Sequence, residues 1–341
     1  MEFFLSYGLF LAKIITSIIF IIIILLIIFN CTMRKQNKKG NLKITNLTEI
    51  YNTRQYIMKQ AKMKNSDYKI WLKNYKKQEK IKAKKEKILL KKKQIIFKKP
   101  SLFVINFKGS INACEVSSLR EEINTILSIA DNNDEVLVKL ESCGGVVHGY
   151  GLAAAQLNRL KEKGLKLTVS VDKVAASGGY MMASVANRII AAPFAIIGSI
   201  GVVAQIPNFN RLLKKNNIDI ELHTAGEHKR TLTIFGENTE HGRKKFINDL
   251  HETHKLFKDF IQNNRPNIDI DSIATGEYWY GKHALEKGLI DQLGVSDDII
   301  INNINNYDII EVVYTPNKKV INRILNNVMN TINKLPIFYT Y

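Results

Sequence analysis

Three cysteines in 341 residues, Cys31, Cys114 and Cys143, are too few and too scattered for a disulfide framework. Nothing therefore demands an oxidising compartment, and nothing excludes one. No zinc-hydrolase HExxH is present. The nearest pair, His251 and His254 in HETHK, stands at i and i+3 with no third ligand in evidence, which reads as a charged helix face. No metal and no cofactor is expected. No internal repeat is evident. The first 30 residues carry only two charges, Glu2 and Lys13. No Lys or Arg precedes Lys13 and no A-x-A site follows the apolar run, which argues against a cleaved signal peptide.

Net charge is also missing from most of the chain. The formal +19 sits entirely in residues 31–100, which hold 23 Lys and Arg against 4 Asp and Glu. Residues 101–341 balance at 26 of each, an ordinary globular surface. The basic segment lacks a base-stacking aromatic pattern, so nucleic acid is not an expected partner.

What is present begins with FFLSYGLFLAKIITSIIFIIIILLIIF, Phe3 to Phe29. This run exceeds the roughly 20 residues needed to cross a hydrocarbon core. The sequence thus predicts a transmembrane anchor over 1–30, a Lys-rich linker or stalk over 31–100, and a globular domain over 101–341. Membrane lipid is an expected partner. The Lys-rich segment reads as a solvated tether, a helical stalk or a layer on anionic lipid. Arg34, Lys35, Lys38, Lys39 and Lys43 follow the run immediately, which by the positive-inside rule puts the globular domain in the cytoplasm.

From Ser101 the texture alternates. LFVINF, EVLVKLES and KLTVSV read as strands; EVSSLREEINTILSIA and GYGLAAAQLNRLKEKG read as helices. Short β runs RIIAAP and IIGSIGVVA follow, then helical PNFNRLLKKNN and NTEHGRKKFINDLHETHKLFKDFIQN. This alternation predicts an α/β fold with right-handed crossovers and a mainly parallel sheet. Sites in such sheets gather at the carboxyl ends of strands. Two glycine-rich corners fall there, LESCGG with Gly144 and Gly145, and AASGGY with Ser177 and Gly178. Strand-to-helix turns leave backbone N–H groups unpaired, an arrangement able to hold an oxyanion.

Ser177 as a nucleophile needs a base. His148 follows a glycine corner, but spacing assigns it no acidic partner. A lysine serves only when neutral, so an amine titrating near 10.4 in water must fall by about 3 pH units through burial. Lys229, after a β-like run and a glycine turn in ELHTAGEHKRTLTIF, is one of many lysines that position alone does not distinguish.

Four ordered blocks change that reading: DKVAASGGYMMAS, PFAIIGSIGVV, AGEHKRTLTIFGENTEHGR and ATGEYWYGKHALEKGLID. Together they resemble the protease IV (signal peptide peptidase) family of membrane-anchored peptidases, and the resemblance covers most of the chain. It implies a ClpP/crotonase-like α/β fold with a mainly parallel sheet, so that residues 101–341 become a peptidase domain. It implies a Ser/Lys dyad with Ser177 as nucleophile and Lys229 as base, Ser199 as a supporting hydroxyl, and oxyanion donors among the amides of Gly144, Gly145 and Gly178. The family corner usually reads S-P-G-G; here Cys143 stands where proline does. The resemblance also implies peptide or protein substrates, a homo-oligomeric ring with active sites shared between subunits, and a bacterial inner-membrane location with the catalytic domain on the periplasmic side, against the charge rule. Two other readings stand beside it: a catalytically impaired membrane-tethered scaffold, and a crotonase-like acyl-CoA enzyme. Met181 and Met182 read as core rather than pocket wall.

Overall fold

A computed structural model describes residues 40–91 and 99–316, together with residues 8, 10, 11, 13–20 and 22. The chain divides into two units, one of Met1–Asn41 with Thr315–Tyr341 and one of Leu42–Tyr314. In the first unit residues 13–20 are helical. Most of the expected anchor, Phe3 to Phe29, lies outside the described residues. Among those described, no helix is long and apolar enough to cross a membrane.

In the second unit the strands expected over LFVINF, EVLVKLES, KLTVSV, RIIAAP and the start of IIGSIGVVA form where β-branched and aromatic residues run between turn signals, and five further strands join them. They are β1 (Asn41–Asn46), β2 (Ser101–Gly109), β3 (Glu135–Ser142), β4 (Lys166–Val171), β5 (Val174–Ala176), β6 (Arg188–Ala191), β7 (Ile196–Gly198), β8 (Tyr278–Tyr280), β9 (Gln292–Leu293) and β10 (Asp308–Thr315). Their order is β1-β10-β2-β3-β4-β6-β9, and the sheet branches at β3, whose last residue Ser142 also pairs with Ala175 of β5. From β5 the branch continues through β7 to β8, which alone among the registered pairs runs antiparallel. The sheet is therefore mainly parallel, as the alternation of elements predicts.

The segment read as a linker holds more structure than that reading supplies. Within it lie β1, helix α1 (Leu47–Lys62) and helix α2 (Asn65–Lys91). The side chains of Leu47 and Tyr51 pack on a small core with Leu102, Leu137 and Ile300. The main core lies on the opposite face of the sheet. There α3 (Val116–Leu127), α4 (Val147–Glu162) and α5 (Gly178–Ser184) bury Leu119, Ile123, Leu157 and Met182 against β2, β3 and β4. Met181 and Met182 are buried, in keeping with a packing role.

Beyond β7, residues 202–209 and 217–239 hold no strand or helix, and α6 is only Asn210–Lys215. The β-like runs GVVA and IELH therefore form no strand. A strand needs a partner for its backbone groups, and these apolar residues stay exposed, Val203 at 90% and Leu222 at 52%. Helix α7 (Glu240–Asn264) then runs 25 residues. At its end Arg265 makes a fork to Asp291, Nη2 to Oδ1 at 2.7 Å and Nη1 to Oδ2 at 3.0 Å. Burial alone would raise the Asp291 carboxyl. Arg265 and the Ile189 N–H outweigh it and hold the carboxyl below its ordinary value. Short helices α8 (Ile270–Ile273) and α9 (Gly281–Glu286) and helix α10 (Ser296–Asn303) complete the unit. Asp172 anchors α10 by accepting from the Ser296 N–H at 2.8 Å and Oγ at 2.5 Å.

One buried acid is out of keeping with this core. Glu122 of α3 is 5% exposed and accepts from the Tyr314 N–H at 2.8 Å. Burial outweighs that bond and pushes its carboxyl up to about 7. A folded-state value above the unfolded one means that the neutral acid favours folding. This stabilisation is complete below the unfolded value and is lost as pH rises through about 7. Glu122→Gln, which cannot ionise, should gain on the wild type by about 2 kcal/mol between pH 5 and pH 8 in urea unfolding; a constant difference between the two would show that Glu122 ionises freely in the fold.

Candidate functional site

Ser177 sits where β5 ends and α5 begins, at φ 52° and ψ −120°. A non-glycine residue held there costs of the order of 1–3 kcal/mol and persists only where the surroundings enforce it. Here they do. The Ser177 N–H donates to the Gly198 carbonyl at 2.7 Å, and its own carbonyl accepts from the Met181 N–H at 3.0 Å. The side chain is half-buried at the start of the helix.

Ser199 occupies the equivalent place on the next strand. β5 and β7 are parallel with Ala176 opposite Gly198, so the serines that follow each of them are neighbours across the two strands, which lie about 4.8 Å apart. Ser199 likewise has a positive φ, 51°, and its N–H donates to the Glu277 carbonyl at 2.7 Å. The fold thus brings Ser177 and Ser199 together.

The two glycine corners are packed into one another. A side-chain carbon on Gly144 would lie 2.7 Å from the Gly178 nitrogen and 2.8 Å from the Ser177 Cβ. One on Gly179 would lie 2.5 Å from the Ser142 carbonyl oxygen, and one on Gly145 would run into the Ile111 carbonyl. These glycines are set by close approach of backbone to backbone. The Gly144 N–H is engaged, donating to Ser142 Oγ at 3.0 Å. The Gly178 N–H opens α5 and has no partner within its own helix. The Gly145 N–H makes no hydrogen bond among the described residues.

Tyr150 is the residue that sequence reasoning missed. It is fully buried on α4, with its ring where a side chain on Gly178 would fall. Its hydroxyl donates to the Ser110 carbonyl at 2.8 Å and meets Ser142 Oγ at 2.5 Å. A phenol has one proton, so Ser142 donates to Tyr150 and its oxygen accepts from Gly144. Burial raises the phenol above its ordinary value, which keeps that proton in place. A directed chain results, Gly144 to Ser142 to Tyr150 to Ser110, and it underlies the first corner while the Tyr150 ring packs against Gly178 of the second. Glu115 closes the far end by accepting from the Ser110 N–H at 3.0 Å and Oγ at 2.9 Å. A tyrosine five residues beyond Gly145, one turn into the following helix, was the available signal.

The remaining candidates lie apart from this cluster. Cys143 and His148 are exposed beside the first corner, and Cys143 is a free thiol. His251 is exposed. His254 is half-buried, its Nε2 without a hydrogen-bond partner. Lys229 is exposed, at the end of a turn whose N–H donates to the Gly226 carbonyl at 3.1 Å. Among the described residues no hydrogen bond joins it to Ser177 or Ser199. A cavity of about 240 Å³ at the carboxyl ends of β2, β3 and β4, lined by Lys108, Lys139, Glu141 and Asp172 among others, includes neither Ser177 nor Lys229.

Comparison with known proteins bears on this arrangement. The chain is 55% identical over 304 residues to "Probable protease SohB" of Buchnera aphidicola subsp. Schlechtendalia chinensis, covering 89% of this chain and 100% of that one. It is 48% identical over 327 residues to "Probable protease SohB" of Haemophilus influenzae, covering 93% and 91%. Among solved structures, the 1510-N membrane-bound stomatin-specific protease, in a mutant form with a substrate peptide, matches at a TM-score of 0.42 and 13% identity over 68% of this chain and 99% of that one. The model of the peptidase family S49 N-terminal region matches residues 2–157 and that of peptidase family S49 matches residues 159–306, and on this evidence the chain belongs to peptidase family S49.

Proposed function

We propose that the chain is a membrane-anchored serine endopeptidase in which Ser177 attacks a peptide carbonyl and Lys229 takes the hydroxyl proton. The observation that carries this reading is the backbone of Ser177, held in a costly conformation at a helix start against a second glycine corner. Such a turn presents the hydroxyl outward and sets the Gly178 N–H beside it. In the reaction the Gly178 and Gly145 amides receive the developing oxyanion, while Gly144 serves through its internal bond to Ser142. Lys229 returns its proton to the leaving amine, and water hydrolyses the acyl-enzyme.

The exposure of Lys229 supports a further part of the reading. A lysine base works from a site shielded from water. Desolvation must come from something that covers it. Apolar residues in the same stretch, Val203, Leu212, Ile220, Leu222 and Phe235, are exposed as well. A second copy of the chain, covering both, would complete the site and give a homo-oligomer with active sites shared between subunits. Ser199, next to Ser177, then supplies a hydroxyl to hold the amine. The apolar run Phe3–Phe29 supplies the anchor to an inner membrane, and membrane-proximal peptides or misfolded segments are the substrates this implies.

Labelling by a fluorophosphonate tests the dyad. Ser177→Ala should abolish it and Lys229→Ala should slow it about 10²- to 10⁴-fold, the worth of a positioned general base; persistence at the wild-type rate in either variant refutes the dyad. Mixing the two inactive variants should restore peptide cleavage if sites are shared between subunits, and restores nothing if each chain is self-sufficient. Tyr150→Phe leaves the buried Ser142 hydroxyl without its acceptor and the Ser110 carbonyl with the Ala113 N–H alone. It should cost about 1–2 kcal/mol in urea unfolding and slow labelling while the chain remains folded.

A further inference from the structure

The turn that ends at Lys229 carries a second cluster. Its four residues are Gly226, Glu227, His228 and Lys229, closed by the Lys229 N–H on the Gly226 carbonyl, so that Glu227 and His228 are the two central positions. Across from them stands His241, in the first turn of helix α7. One ligand atom from each of Glu227, His228 and His241 falls within 4.8 Å of the other two. The His241 Nε2 is 3.7 Å from Glu227 Oε1, the His228 Nε2 is 4.0 Å from Glu227 Oε2, and the two imidazole rings stack at 6.0 Å between centroids.

We propose that these three side chains bind a divalent transition-metal ion, with Zn²⁺ as the best match, and that the ion pins the Lys229 turn to helix α7. The inference rests, for its effect on catalysis, on the reading of Lys229 as the base. Two imidazoles and a carboxylate are a donor set for zinc rather than for magnesium or calcium, which prefer oxygen alone. Around a tetrahedral zinc, donors at about 2.0–2.2 Å from the ion lie about 3.3 Å from one another. The present spacings of 3.7 and 4.0 Å exceed that by less than 1 Å, and all three side chains are exposed. Three protein donors leave the fourth position to water.

The two segments that carry the cluster already touch. A side-chain carbon on Gly242 would lie 2.2 Å from the Thr231 carbonyl oxygen, so the chain just after Lys229 lies directly on the first turn of α7. Thr239 caps that turn by accepting from the Gly242 N–H at 3.1 Å. An ion bridging Glu227 and His228 to His241 therefore closes a small loop between two segments already in contact, and little chain entropy is lost. Because Lys229 is the last residue of the bridged turn, the ion fixes where its side chain starts. A base that must swing into a site completed by another subunit is held back by such a clamp, and the ion acts as a reversible brake on the peptidase.

Calorimetric titration of the full chain, free of any histidine tag, with Zn²⁺ alone should show one ion bound per chain. His228→Ala and His241→Ala should each weaken binding by about 10-fold or more, judged against the 10- to 100-fold worth of groups that merely support a ligand. Ser177→Ala and Lys229→Ala should bind as the wild type does. Absence of saturable binding, or undiminished binding in the His228→Ala/His241→Ala double variant, overturns the site. Zn²⁺ should also slow fluorophosphonate labelling of the wild type and leave His241→Ala unaffected; equal slowing of both overturns the brake. Failure of the Ser/Lys reading is seen separately, as labelling absent without the metal, and calorimetry still decides the ion site in that case.

Discussion

Everything at the Ser177 corner follows from one close approach, that of the Gly144 backbone to the Ser177–Gly178 peptide. The two segments end neighbouring strands of a branched sheet, and only hydrogen atoms at Gly144 and Gly179 allow them to meet. The contact holds Ser177 in a conformation it would not adopt alone. It also orders the amides around it, one committed to Ser142 and two left without a partner in their own segments. Pre-positioned amides of this kind stabilise charge without reorganising during reaction, the property on which acyl transfer most depends.

Beneath that contact the support is polar and directional. The Ser142 and Tyr150 hydroxyls each accept one bond and donate one, in a chain that ends on the Ser110 carbonyl, so reversing the bond between them would leave a buried group unpaired. The corner is in this respect rigid. The arm that carries Lys229 contrasts with it. Residues 199–239 hold one short helix and expose apolar side chains. Internal hydrogen bonding is concentrated at the Ser177 corner and exposed apolar surface on the Lys229 arm.

The body of the fold was legible in the sequence because its signals are local. EVLVKLES and KLTVSV form strands over the residues read, and the glycines of both corners fall where their spacing placed them. Helix α7 likewise forms over the long polar-apolar pattern ending in FIQN. Other features depend on what residues distant in sequence do together. The three-residue strand β5 is defined only by its neighbours β3 and β7. β1 lies in a Lys-rich stretch whose composition reads as solvent-facing, and a strand's membership of a sheet is settled by its partner. The runs GVVA and IELH carry strand character and no strand, since a β pattern without a pairing edge has nothing to bond. Tyr150 escaped notice because its importance lies in a hydroxyl reaching Ser110, 40 positions away. The neighbourhood of Ser177 and Ser199 is a matter of strand register, which sequence spacing of 22 residues does not reveal.

Helix α7 is also a lever. Twenty-five residues give it a length of about 37 Å. Its foot is bolted by the Arg265–Asp291 fork to the edge of the sheet, and its head touches the segment that carries Lys229, the base proposed above. A rotation of about 3° at the foot moves the head by about 2 Å, which is the difference between a proton in reach and one out of reach. Substitutions near residue 265, far from any reacting atom, therefore belong to the set through which evolution can tune how fast this peptidase turns over.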